Sequence, residues 1–367
     1  MFDEGEQPAL TVTQFAFAKK LPRRYRQLWL DDAGHSLVPG IQEFQTINNQ
    51  SDKFGFLNRQ AETLSPHVMG LMVEMMTRVL ILSKDKPFDQ MVDDCLQNAY
   101  TGARVLELEG LFAEQLDLLQ LIMEKQQQQG KFGRDLYMKL VNVFAVLGAF
   151  EQAYRGSQFK FPYGLVDWPT AKHLNIMVHR AAEFFNRVGR PITIDFSVAS
   201  PDGCLYGDGD FLSPTSVIDF KTYSVDPTQE VANRRQMVLY YVLGHFMEPV
   251  DYPEFKTAKQ LVMFNPRSDR TFIWPIDERR MKKLADHLRQ FAPEVVAEIW
   301  EQLAAKQAWI KKGMITMAEP KYQQTIYFPQ SIRQQLKVLA AENNMTVSEV
   351  ATKAVKLLLE QESKEHD

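Results

Sequence analysis

Cysteine is almost missing from the chain: Cys95 and Cys204 are the only two among 367 residues. Two thiols exclude a disulfide framework and a four-thiolate zinc or iron–sulfur site, and they point to a reducing cytoplasm. A dominant sign of charge is missing too. With a formal net charge of -4 there is no global attraction to a polyanion, so any contact with nucleic acid has to come from local basic patches. No run of 18 apolar residues occurs, and Met1 to Pro8 are acidic and polar without leading into an apolar segment. The expectation is a protein that is neither secreted nor membrane-spanning.

What is present suits a globular protein. Hydrophobic residues make up 45% and charged residues 24%, enough for a sizeable core in two or three compact domains. Residues 1–65 are mixed and turn-rich and carry one basic cluster, Lys19-Lys20-Leu21-Pro22-Arg23-Arg24-Tyr25-Arg26, read as an irregular basic segment. From Pro66 to about Gly156 the pattern is helical, with Phe112, Leu116, Leu119 and Met123 on one face. A further helix runs from Pro169 to Arg187, capped by Asp167 and ended by Gly189.

The style then changes. Ile192 to Val198 alternates with period two, Asp202-Gly203 is a hairpin turn, and two more strand-like runs reach Tyr223. Pro227 begins a helix to about Phe246, Gln260 to Phe264 and Thr271 to Ile276 are strands, and Asp277 caps a long helix through about Lys311. This order predicts an α/β domain over 66–311, its helical part at 66–190, followed by a linker at 312–320 and a small unit at 321–367.

The chemistry lies in Tyr206-Gly207-Asp208-Gly209-Asp210 and, beyond a Ser213-Pro214 turn, Ile218-Asp219-Phe220-Lys221-Thr222. Alternation along a strand turns Asp219 and Lys221 to one face and Ile218 and Phe220 to the packed one, and it gives Asp208 and Asp210 a shared face. Two carboxylates facing each other across a hairpin suit Mg²⁺ or Mn²⁺, hard cations that take oxygen ligands and keep several waters. An ammonium two residues beyond the acid offsets charge developing on a phosphate or orients the attacking water. An Asp-x-Lys alone arises by chance in a chain this long; its surroundings make it specific.

Those surroundings are Gly207-x-x-Asp210, a turn, Ile218-Asp219-x-Lys221-Thr222, and then a helix with Gln236-x-x-x-Tyr240 one turn apart. Together they resemble the PD-(D/E)XK nuclease superfamily, especially its RecB-like branch. The resemblance implies a restriction-endonuclease-like mixed central sheet flanked by helices, and metal ligation by two acids. It also implies DNA or active-site support from Gln236 and Tyr240. It extends to Leu261 to Arg267 followed by Thr271 to Trp274, which would bring Arg267 near a DNA phosphate. The first acid is expected to be Asp210, by its spacing from Gly207, with Asp208 as the alternative. The superfamily adds an acid or histidine from an upstream helix, for which Glu74, His179 and Glu183 are the candidates. The two cysteines argue against the superfamily's iron–sulfur branch.

The last unit has a short alternating strand, Gln323 to Pro329, a helix with Ile332, Leu336 and Leu339 on one face, and a second helix opened by the capping box Thr346-Val347-Ser348-Glu349. Some 40 residues are too few for an independent core, which implies pairing with a second copy. The unit resembles a ribbon-helix-helix domain of the MetJ and Arc type. That resemblance turns Gln323, Thr325 and Tyr327 toward DNA in the major groove and offers the N–H groups at Thr346 and Ser348 to a phosphate. Its charges are balanced, so dimerisation alone or a protein partner is the other reading.

The expectation is a homodimeric, Mg²⁺-dependent deoxyribonuclease acting in phage defence or phage DNA processing. A non-catalytic DNA-binding regulator with a nuclease-like fold is the alternative.

Overall fold

A computed structural model of the chain describes residues 8–18, 23–155, 166–247 and 252–311. The chain divides into two compact units, Met1–Met317 and Ala318–Asp367. The linker at 312–320 and the ribbon-helix-helix expectations, including Gln323, Thr325, Tyr327, Thr346 and Ser348, lie outside the described residues.

The first unit is an α/β structure around a mixed, open sheet of seven strands, with eleven α-helices among the described residues. The strands are β1 (Leu10–Thr11), β2 (Gln45–Asn48), β3 (Thr193–Ala199), β4 (Leu205–Ser213), β5 (Ser216–Phe220), β6 (Gln260–Asn265) and β7 (Arg270–Pro275). Their order is β1-β4-β5-β6-β7-β2, with β3 paired to β4 off this path. Residues 1–65, expected as an irregular segment, therefore supply β1 and β2 to the sheet.

The helices are α1 (Val12–Ala16), α2 (Arg23–Leu28), α3 (Pro66–Thr77), α4 (Phe88–Cys95), α5 (Gln97–Val105), α6 (Glu109–Gln129), α7 (Arg134–Tyr154), α8 (Trp168–Val188), α9 (Val231–Val242), α10 (Glu254–Thr257) and α11 (Glu278–Lys311). Local chemistry sets many of their ends. The Ser65 hydroxyl accepts from Val68 N ahead of Pro66, and Asp167 accepts from Thr170 N. Gly130 closes α6 in the left-handed region, at φ 70°. The Asp277 carboxylate accepts from Arg280 N at the start of α11.

Each face of the sheet carries its own core. Leu212, Val217, Leu261 and Met263 pack against α9 and α11, and Phe15, Tyr25 and Trp29 close the same cluster. Tyr25, the aromatic in the basic run, is core: its hydroxyl donates to Phe15 O at 2.5 Å, and the Arg235 guanidinium lies over its ring and over Trp29. On the opposite face Phe211, Ile218, Phe220, Val262 and Phe264 meet Phe184 and Phe185 of α8, with Phe184 stacked on Phe264 at 4.4 Å. A third cluster fills the interior of the helical part, α3 to α8.

Candidate active site

β4 is the longest strand, and its two ends pair with different partners along one edge. Leu205 and Tyr206 pair with β1 in parallel, whereas Phe211 to Ser213 pair with β5 antiparallel. Gly207 to Asp210 lie in the gap between. There the Asp210 carboxylate takes the place of a main-chain partner: its Oδ2 accepts from Phe220 N at 2.6 Å.

The gap comes with a reversal of faces. Ile194 and its cross-strand partner Phe211 belong to the α8 side, but Phe196 belongs to the α9 side, although strict alternation would keep 194 and 196 together. The strand switches at Asp195, which has φ 62°, a conformation uncommon for a residue with a side chain. Opposite Phe196, Gly209 has no room for a Cβ, which would fall 2.1 Å from the Phe196 ring. This glycine is required by close packing.

The switch separates Asp208 from Asp210. Asp208 turns to the helical side, where Oδ1 accepts from Ser197 Oγ at 2.7 Å and Oδ2 from the Tyr154 hydroxyl at 3.4 Å. Asp210 turns to β5 instead. The structure thus brings Asp210, Asp219 and Lys221 together, and it leaves Asp208 in a different set of bonds.

Asp219 is only 2% exposed, and its Oδ2 pairs with Lys221 Nζ at 2.6 Å. Burial pushes the Asp219 carboxyl up to about 6; Lys221 opposes the shift and the neighbouring Asp210 adds to it. Burial also pulls on the Lys221 ammonium, but Asp219 and Asp210 outweigh it and leave its pKa above the ordinary lysine value. Asp219 and Asp210 repel each other across the site, and Lys221, with Arg78 and Arg155 behind it, supplies the balancing positive charge. A hard divalent cation relieves such repulsion with the oxygen donors it prefers, leaving the rest of its shell to water. Asp210 and Asp219 fit that role.

Among the described residues no three or more His, Cys, Asp or Glu side chains gather closely enough to hold a metal ion. The expected upstream ligand is accordingly not joined to the pair. Glu74 is buried on the α3 face that begins with Gly70, whose built Cβ would lie 3.0 Å from Thr222 Oγ1. This glutamate pairs with Arg78 one turn on. His179 is exposed on α8 and Glu183 is half-buried there.

Gln236 and Tyr240 support the gap from the α9 side. The Tyr240 hydroxyl donates to Asp208 O at 2.6 Å, and Gln236 Nε2 donates to that hydroxyl at 2.9 Å and to Thr13 Oγ1 at 3.0 Å. Burial, with Asp219 and Asp210 adding to it, raises the Tyr240 pKa well above the phenol value. Tyr240 remains a neutral donor that fixes the main chain between the two acids of β4.

The opposite wall holds residues that the sequence motifs did not single out. Asp195 accepts from Arg78 Nη1 at 3.0 Å and Asn98 Nδ2 at 2.7 Å. On α7, Glu151 accepts from Arg155 Nη2 at 2.6 Å. Burial opposes the charge on both arginines, yet acids that include Asp195, Glu151 and Asp210 raise both above the ordinary value. The signal was there: Glu74-x-x-x-Arg78 and Glu151-x-x-x-Arg155 are ion pairs at helical spacing inside apolar runs.

Arg267 corrects an expectation. It is fully buried and forks onto Glu62, Nη1 to Oε1 at 2.5 Å and Nη2 to Oε2 at 2.9 Å. It also donates to Thr222 O and Leu57 O. A guanidinium so enclosed ties chain segments together and is not presented to a DNA phosphate.

Comparison of the chain with protein families, curated proteins and solved structures returns no match. Among the described residues no helix is long and apolar enough to cross a membrane.

Proposed function

We propose that the chain is a metal-dependent deoxyribonuclease of restriction-endonuclease-like fold, with the gap between β1 and β5 along β4 as its active site. The observation that carries this reading is the juxtaposition of Asp210, Asp219 and Lys221 at that gap, with Asp219 raised to about 6 by burial and by Asp210.

In this reading Asp210 and Asp219 would hold Mg²⁺ or Mn²⁺, which would supply polarisation of the phosphate and acidification of a water. Lys221 sits one pleat beyond Asp219 and lays its ammonium along the scissile phosphate, balancing the charge that builds on the non-bridging oxygens. Tyr240 and Gln236 hold the β4 main chain so that Asp210 stays turned to Asp219. Phe220 N, donating to Asp210, fixes the carboxylate's orientation. In the same reading the tail at 321–367, which lies outside the described residues, supplies the pairing of two copies and their delivery to DNA.

The test is incubation of linear and supercoiled DNA with the full chain and Mg²⁺ or Mn²⁺. Cleavage by wild type, lost on adding EDTA and reduced at least 100-fold in Lys221→Ala, is the expected outcome. Intact DNA with wild type, or equal cleavage by Lys221→Ala, overturns the proposal.

A further inference from the structure

Two phenylalanines stand out on the surface of the first unit. Phe54 is 48% and Phe56 51% exposed, two residues apart on a turn whose centre, Gly55, has φ 63°. Lone exposed apolar residues need no explanation; the bracing of this turn does. Arg180, fully buried, forks onto Asp52 through Nε and Nη2 and donates from Nη2 to Gly55 O at 2.6 Å. Asp269 accepts from Ser51 N and Oγ, and Arg187 donates to Asn49 O and Ser51 Oγ. Arg267 holds Leu57 O with the same side chain that holds Thr222 O, the residue after Lys221. Burying two guanidinium groups is strongly unfavourable until their partners offset it. Here they fix a turn that exposes aromatic rings.

We propose that this turn is a stacking platform for unpaired DNA bases, braced through Arg267 to the segment just after β5 that carries Lys221. The proposal rests on the nuclease reading and narrows its substrate to DNA with a single-stranded portion. Charge favours nucleic acid over an apolar protein partner. The acids at the turn are taken up, Asp52 by Arg180 and Glu62 by Arg267, while Lys53 and Arg59 are exposed beside it. Lys172, also exposed, places its ammonium 5.5 Å from the centre of the Phe54 ring. A ring for a base next to a cation for its phosphate is how sequence-tolerant single-strand binding is built.

The experiment measures binding of the full chain to labelled oligothymidylate and to a duplex, in EDTA so that no cleavage occurs. In Phe54→Ala/Phe56→Ala, oligothymidylate affinity is expected to fall at least fivefold, the lower end for loss of one stacking ring. Duplex affinity should change less than twofold. Phe54→Tyr/Phe56→Tyr should bind as wild type does. Lys172→Ala, on an exposed helical position, should weaken oligothymidylate binding and flatten its salt dependence. The proposal is overturned if wild type does not bind oligothymidylate or if the alanine variant binds it equally. It is overturned too if that variant loses self-association in sedimentation while keeping its DNA affinity, which would make the turn a protein contact. Ring-dependent binding by a chain that never cleaves DNA would sink the nuclease reading and leave the platform standing; cleavage with ring-independent binding would do the reverse.

Discussion

Replacing Arg267 by methionine separates the two roles open to that arginine. The side chain and its partner Glu62 are both 0% exposed, so Arg267→Met leaves a carboxylate buried with His173 Nδ1, at 2.9 Å, as a remaining partner. The carbonyls of Thr222 and Leu57 lose a donor as well. Breaking a buried pair from one side costs about 3–5 kcal/mol, a large part of the roughly 5–15 kcal/mol that holds a domain together. At roughly 2–4 °C per kcal/mol for a large domain, the midpoint should fall by about 6–20 °C in a thermal melt followed by circular dichroism. Adding Glu62→Gln removes the stranded charge, and the double variant should recover at least about 1 kcal/mol relative to the sum of the single changes. Arg279→Ala, at an exposed position, should stay within about 0.5 kcal/mol of wild type. An Arg267→Met protein that melts with wild type but loses DNA affinity would refute the reasoning and restore Arg267 as a phosphate contact.

Asp219 gives stability a pH dependence. Its carboxyl is raised from 3.8 to about 6 in the folded chain, so between these values the folded state keeps a proton that the unfolded state has lost. The Asp219 contribution to metal-free stability should therefore fall by about 3 kcal/mol as pH rises through that window, and it should flatten above pH 6. In urea unfolding at successive pH values, the stability of wild type relative to Asp219→Asn should decline by this amount across the window; parallel curves for the two proteins would contradict it. Tyr240→Phe removes the donor to Asp208 O and should cost about 1–2 kcal/mol of stability. If Tyr240 positions β4, cleavage by this variant should slow in kcat, by about tenfold, with KM unchanged; a rise in KM with intact kcat would make it a DNA contact instead.

The central strands were legible because their code is local. The period-two run at 192–198, the Asp202-Gly203 turn and the apolar alternation around Asp219 all report on near neighbours, and β3, β4 and β5 fall there. What failed to show depended on distant partners. β1 is two residues long, and every residue of β2 is exposed, so neither carries an alternating pattern. Spacing from Gly207 favoured Asp210, but the parting of Asp208 from Asp210 depends on the face reversal at Asp195, and Ile194-Asp195-Phe196 reads as an ordinary strand. Arg267 follows Asn265-Pro266 and looks like a surface turn residue; its burial is decided by Glu62, some 205 positions earlier.

The central claim, that Asp210 and Asp219 form a metal centre, is tested most directly by anomalous diffraction from crystals of the full chain soaked in Mn²⁺. The account predicts one strong peak shared by the carboxylates of Asp210 and Asp219, beside Lys221, absent from Asp219→Asn crystals. A peak held by Asp208 and Ser197, or none at β4 and β5 at saturating Mn²⁺, would contradict it.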